Sequence, residues 1–335
     1  MRRMPKLIST FVVVLIVAMS AAAAEPKILI KIATVAPQGT TWVNELQKMD
    51  QKLRSESQDE VGLKIYAGGV LGDESDVVRK IRVGQVHGAA FTGMGLGQLL
   101  PEVRIFELPF LARTDSDIDR LTDQLFPRFE KGFLSKKFVL LGFVPIGFVY
   151  IFSSTPISSL DALKKGKVWV WEGDPLARGL FSAGGVAGIP LVLPDVLSSL
   201  QTRLIDTVYG TPLGAIALQW HTRVKYRTDF AITHAMGALL VAEAQFSKLS
   251  AKSKEILKTE SRDLCRRLAE ASRKENAEAL TILTSQGVQT VAVSVAEQNR
   301  FIAIGDKVAT DQVGKLYPKD LLEQARSVVR SGAKP

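Results

Sequence analysis

Residues 61–91, VGLKIYAGGVLGDESDVVRKIRVGQVHGAAF, hold a complete strand–helix–strand unit. Val61 to Tyr66 alternates as a strand does, and Gly68-Gly69 breaks it. Asp73 then starts a helix with Val77, Val78, Ile81 and Val83 at helical spacing; Gly84 closes it and His87 to Phe91 returns as a strand. Strands alternating with helices of about 10–15 residues argue for an α/β fold with a largely parallel sheet.

The same pattern extends both ways. Upstream, Lys27 to Ala33 is a strand, Pro37-Gln38-Gly39 a loop, and Thr40-Thr41 the start of a helix carrying Trp42, Leu46 and Met49 on one side. Downstream, Lys137 to Val144 and Phe148 to Ser153 read as two strands, Ile157 to Lys165 as a turn and short helix, and Lys167 to Trp171 as a further strand. Asp174 is placed as an N-cap with Pro175 at the first helical position, where a missing N–H has no partner to lose. The longest element runs from Ser250 to about Gln286, with Leu257, Leu264, Leu268, Leu280 and Leu283 in helical register. At 1.5 Å per residue it reaches roughly 54 Å, more than one small domain is wide, so it is expected to bridge two lobes as a strut.

The N-terminus reads as a targeting segment. Arg2, Arg3 and Lys6 precede an apolar run of 13 residues from Leu7 to Met19, and Ala22-Ala23-Ala24 supplies the small residues a signal peptidase needs. That run is short of the roughly 20 residues that cross a bilayer, which predicts cleavage after residue 24, a mature chain of 311 residues and a periplasmic location. A chain of that size fits two lobes of ordinary domain size. The formal charge of +9 loses three positive charges with the signal, and the remaining basic residues are scattered, which argues against nucleic-acid binding.

Catalytic and metal motifs are missing. His87, His221 and His234 lie far apart and Cys265 is the single cysteine, so neither a metal site nor a disulfide is expected. Gly93-Met94-Gly95-Leu96-Gly97 places its third glycine one residue early for a dinucleotide fingerprint and reads as a flexible turn at a cleft edge. No G-x-S-x-G elbow or P-loop occurs. The chain reads as a non-enzyme without a cofactor.

Several segments, in order along the chain, are similar to one family. Ile32 to Trp42, Ile65 to Glu74, Leu108-Pro109-Phe110-Leu111 and Leu200 to Asp206 resemble the opening strand and loop, the second-strand signature, the LPFL segment and the LQTGVVDG element of DctP-type solute-binding proteins of tripartite ATP-independent periplasmic (TRAP) transporters. The resemblance implies a two-lobed periplasmic binding protein fold with hinge strands and a long lobe-spanning helix. It places lobe I at 25–146 plus about 236–275 and lobe II at 147–235 plus about 276–335. It also implies a small-molecule ligand, closure over it in the interlobe cleft, and a membrane permease as partner.

The departures bear on the ligand. Where the family's GLKIRV strand carries a carboxylate-binding arginine, this chain has Gly166-Lys167-Val168-Trp169-Val170-Trp171; a second arginine is absent from Gly147-Phe148-Val149-Tyr150, and the asparagine after the next strand is replaced near Tyr209-Gly210. A guanidinium pairs a carboxylate bidentately; aromatic rings cannot, and an unpaired buried charge is costly. An apolar or amphipathic ligand is therefore expected, lined by Trp169, Trp171, Phe148, Tyr150, Tyr209, Trp42, Phe91 and Phe110. Arg178 and Glu172 could restore a polar contact, although Arg178 stands at i+4 from Asp174 and could pair with it on the surface. The alternative is a binder of small organic acids through relocated cations. The Trp169–Pro175 stretch, WVWEGDP, is similar to a subset that works with a periplasmic tetratricopeptide-repeat partner.

Overall fold

The computed structural model describes residues 25–332; the expected signal segment lies outside the described residues. Ten strands form the framework: β1 (Ile28–Thr34), β2 (Val61–Tyr66), β3 (Gly88–Thr92), β4 (Phe138–Ser153), β5 (Val168–Trp171), β6 (Gly188–Leu191), β7 (Thr207–Gly210), β8 (Tyr226–Thr228), β9 (Thr233–Ala242) and β10 (Gln289–Val291). Their main order is β2-β1-β3-β9-β4-β7-β5-β6. In lobe I, β1 pairs in parallel with β2 and β3, as the strand–helix–strand reading requires, and β9 closes antiparallel on β3. In lobe II, β5 lies parallel to β6 and β7, while β8 links β10 to the end of β4.

The two strands expected at 137–153 are one. β4 pairs with β9 from Phe138 to Val149 and then with β7 from Tyr150 to Ser153, so one 16-residue strand belongs to both halves of the sheet. Its register with β9 slips twice, between Leu140 and Gly142 and again between Pro145 and Gly147, and the second slip leaves Ile146 as a bulge. Pro145 and Gly147 look like strand breakers in sequence, but proline is tolerated at bulges and glycine supplies the unusual backbone there. Gly147 has φ 139°, and a Cβ on it would fall 2.5 Å from Asn276 Nδ2. Asn276 is the reason for that tight approach. Its Nδ2 donates to the Ile146 carbonyl (2.8 Å) and its Oδ1 accepts from Leu213 N (3.0 Å), at the start of the lobe II helix Pro212–Ala217.

Asn276 belongs to the 35-residue helix Ala251–Ser285, which starts at the Ser250 cap, where Ser250 Oγ accepts from Ser253 N. Leu257, Leu264, Cys265 and Leu268 pack with Ile30, Ile32, Leu46 and Met49 in lobe I, whereas Leu283 packs with Phe152, Trp169 and Val208 in lobe II. The helix is thus buried in both lobes, as its length of about 53 Å allows. Gly142 of β4 lets it come close: a Cβ there would lie 2.6 Å from Cys265 Sγ.

Two sequence expectations differ from the structure here. The C-terminal helix Lys319–Gly332, placed with lobe II, instead buries Leu321, Leu322, Ala325 and Val328 in the core shared with Leu121, Leu125 and Phe129 of the helix Asp115–Ser135 in lobe I. Its apolar stripe matches that helix's inner face. The glycine run at 93–97 is not a turn but the helix Gly93–Leu99, whose glycines let it lie against Glu107, Glu74 and Arg104. Gly95 N donates to Glu74 Oε2 (2.6 Å), and burial pushes the Glu74 carboxyl up to about 8.

Two predictions concern the hinge. Asn276→Ala strips the Leu213 N–H and the Ile146 carbonyl of their partner and should lower stability by about 1–3 kcal/mol in urea unfolding; an unchanged midpoint would refute the clamp. His234 on β9 is 2 % exposed, meets the Phe148 ring edge-on, and neither ring nitrogen has a hydrogen-bond partner. Burial, with the Arg273 charge, lowers its pKa from 6.5 to about 3. The unfolded chain therefore takes up the proton first, and stability should fall by up to about 1.4 kcal/mol per pH unit as the pH drops below 6.5. His234→Leu should flatten that slope in unfolding curves taken from about pH 7 to about pH 4.

Candidate functional site

A cleft of about 460 Å³ opens between the lobes, within the range that takes small organic ligands. Its floor is the hinge, with Ile146 and Val149 from β4 and Thr233 and Ala235 from β9. Lobe I contributes the Thr34–Trp42 loop, Phe91, Thr92 and Met94; lobe II contributes Trp169, Trp171, Tyr209, Leu180, Phe181 and Leu213.

Strand alternation builds the aromatic wall. Val168 and Val170 point into the lobe II core, so Trp169 and Trp171 share the opposite face. Trp169 stacks on Tyr209 (ring centroids 4.8 Å, 20°) and meets Trp220 edge-on (5.4 Å), while its Nε1 donates to the Leu191 carbonyl. Tyr209 Oη accepts from Trp171 N at 3.2 Å. The indole N–H of each has a protein partner; Trp169, 1 % exposed, backs the wall from the lobe II core, while the half-buried Trp171 offers ring surface to the cleft.

The lobes also touch across the mouth. Trp171 Nε1 donates to the Asp73 carboxylate (3.2 Å) of lobe I. Arg104, in the middle of the lobe I turn Pro101–Glu107, donates through Nη2 to Asp174 Oδ2 of lobe II (2.9 Å), and its Nε lies 2.8 Å from Glu107 Oε2. All three side chains are at most 10 % exposed. Burial disfavours the Arg104 charge, but Asp174 and Glu107 outweigh it and hold the guanidinium above its ordinary pKa. Burial raises the Glu107 carboxyl against the pull of Arg104, and it raises the Tyr209 phenol, with Asp174 adding to the effect. Asp174 is also the N-cap expected from sequence: Oδ1 accepts from Leu176 N and Ala177 N, while Oδ2 faces Arg104.

Among the described residues no group of His, Cys, Asp or Glu could hold a metal ion, and no helix is long and apolar enough to cross a membrane. The family of bacterial extracellular solute-binding proteins, family 7 (DctP), matches residues 32–315. The chain belongs to the DctP family. It is 23 % identical over 223 residues to a solute-binding protein of Chromohalobacter salexigens, and 26 % identical over 164 residues to the ectoine/5-hydroxyectoine-binding periplasmic protein UehA of Ruegeria pomeroyi. These matches cover 65 % and 48 % of this chain and the same shares of the relatives. Its fold is that of the sugar acid binding protein DctPAm from Advenella mimigardefordensis, solved with galactonate, at a TM-score of 0.86 and 19 % identity, covering 92 % of this chain and 99 % of that one.

In this DctP protein, five of the expected residues meet at the cleft: Trp42, Phe91, Trp169, Trp171 and Tyr209. Four others do not. The bulge at Ile146 shifts the alternation of β4, so Ile146 and Val149 line the cleft while Phe148 packs on His234 and Tyr150 lies under the Arg227 guanidinium at 5.3 Å. Phe110, at φ 58°, stacks on Phe230 outside the cleft. Arg178 is exposed and does not pair with Asp174, whose free oxygen Arg104 already holds; Glu172 is exposed as well.

Sequence reasoning passed over Arg104, Glu107 and Glu275. A signal existed for the first two: Arg104 and Glu107 are the charged residues of the otherwise apolar run Val103–Leu111, which leads into the LPFL segment. Glu275 gave none, since it sits in a helix full of charges. Arg104→Met would leave Asp174 and Glu107 buried without their cation and should cost about 3–5 kcal/mol, read from the urea midpoint. A loss below about 1 kcal/mol would show that the buried ion group is dispensable.

Proposed function

We propose that this chain is the periplasmic solute-binding protein of a TRAP-type secondary transporter, which captures a small apolar or amphipathic ligand in the interlobe cleft and delivers it to membrane permease subunits. Family membership supports the binding and delivery role, and it favours a receptor over an enzyme. One observation carries the ligand class: the cleft's single cationic side chain among the described residues, Arg104, is already neutralised by Asp174 and Glu107, while aromatic and aliphatic faces make most of the wall. A carboxylate entering this space would find no unpaired cation, and burying it uncompensated costs several kcal/mol.

The second reading, a binder of small organic acids, draws on the fold neighbour solved with galactonate. It would need Arg104 to exchange its internal partners for the ligand, or an exposed cation such as Arg178 to move in. The tetratricopeptide-repeat partner rests on the Trp169–Pro175 likeness alone, and a pull-down from periplasm that recovered no such protein would remove it.

Thermal shift separates the two readings. Medium-chain amphipaths should raise the melting temperature and lactate-sized acids should not; the reverse result supports the acid reading. Trp171→Ala, at a half-buried position, should weaken amphipath binding by about tenfold or more through lost ring contact while the protein stays folded.

A further inference from the structure

We propose that the cleft's ligand carries a cationic, ammonium-type head on its apolar body, and that Asp174 sets this choice. The inference rests on the solute-binding reading above and narrows it. Four charged side chains line the cleft, namely Arg104, Glu107, Asp174 and Glu275, so one cation faces three carboxylates. Arg104 is engaged by two of the three, at 2.9 and 2.8 Å, and that group is buried. Glu275 accepts a hydrogen bond from the Thr41 hydroxyl but makes no ion pair with any described residue. It lies beside the start of the helix Thr41–Ser57, whose N-terminal dipole offsets about half a charge. The space remains negative.

A cation entering this cleft reduces the imbalance, whereas an anion adds to it in surroundings that screen charge poorly. The ring faces of Trp42, Trp171 and Tyr209 add an attraction that only a cation can use. Asp174 is the deciding residue because one of its oxygens caps the helix Pro175–Ala183 and the other crosses the cleft to Arg104. A ligand carboxylate approaching Arg104 would meet the Asp174 carboxylate already on Nη2, and displacing it would leave Asp174 buried without its cation. The protein's own carboxylate stands where a ligand's acid group would be held.

The test titrates the mature protein at neutral pH with decylammonium, decanol and decanoate, each below its micelle concentration, and follows tryptophan fluorescence and heat of binding. Decylammonium should bind about tenfold or more tighter than decanol, and decanoate weakest. Decanol matching the amine, or decanoate binding tightest, overturns the cationic head while leaving an amphipath site in place. Failure of all three to bind overturns the amphipath reading itself. Asp174→Asn keeps the helix cap, since asparagine caps as well as aspartate, and removes the charge. It should raise decanoate affinity relative to decanol by about tenfold; an unchanged ratio in a variant with native circular dichroism removes Asp174 from its role. Glu275→Gln, at a half-buried site, should weaken decylammonium several-fold and leave decanol untouched, and equal effects on both would count against the charge argument.

Discussion

One strand has to serve two lobes. β4 leaves lobe I paired with β9 and ends in lobe II paired with β7, and the change of partner happens within a few residues of the Ile146 bulge. The bulge is held by Asn276 of the long helix, which also reaches Leu213, so a single side chain ties strand, helix and the lobe II helix start together. The floor of the cleft depends on this point. With the bulge, Ile146 and Val149 both face the cleft; unbroken alternation from Ile146 would put Phe148 and Tyr150 on its face in place of Val149.

The interlobe contacts give the cleft its character. The cleft's arginine, Arg104, has its anions supplied by the protein itself, from Glu107 and Asp174, and Trp169 is buried behind the wall on β5. Such a buried ion group is weak evidence for extra stability, because desolvation offsets most of the attraction. In the ligand reading proposed above, its effect is on what can enter. The Trp171–Asp73 bond works in the same direction, since it uses an indole N–H that could otherwise have met a polar ligand.

The α/β class, the long helix, the Asp174 cap and the shared face of Trp169 and Trp171 were legible because each depends on local periodicity or local capping chemistry. Lys167–Trp171 alternates without interruption, so its faces could be assigned from spacing. Phe148 and Tyr150 were assigned to the wrong side for the opposite reason. Nothing local reveals that the β4 register slips at Ile146, because that slip is set by the pairing with β9 and by Asn276, 130 positions away from Ile146. The C-terminal helix shows the same limit: its apolar stripe is plain in Leu321, Leu322, Ala325 and Val328, but which lobe receives it is decided by the complementary face at Leu121 and Phe129. Arg104 was missed because its two partners lie three and 70 residues on, and only the nearer one can be seen from the sequence.

The position of β9 has a consequence for how the molecule assembles. The lobe I sheet needs β9 between β3 and β4, yet β9 follows every lobe II strand except β10 in the chain. Lobe I therefore cannot complete its sheet until lobe II has been produced, and the pairing that completes it joins the two ends of the inserted segment. Lobe II also draws β10, Leu283 and Phe301 from beyond β9, so both lobes wait for partners distant in sequence, and such non-local pairing is slow. Until β9 arrives, the β3 edge of lobe I stands without its antiparallel partner, the kind of open edge on which wrong strand pairing starts.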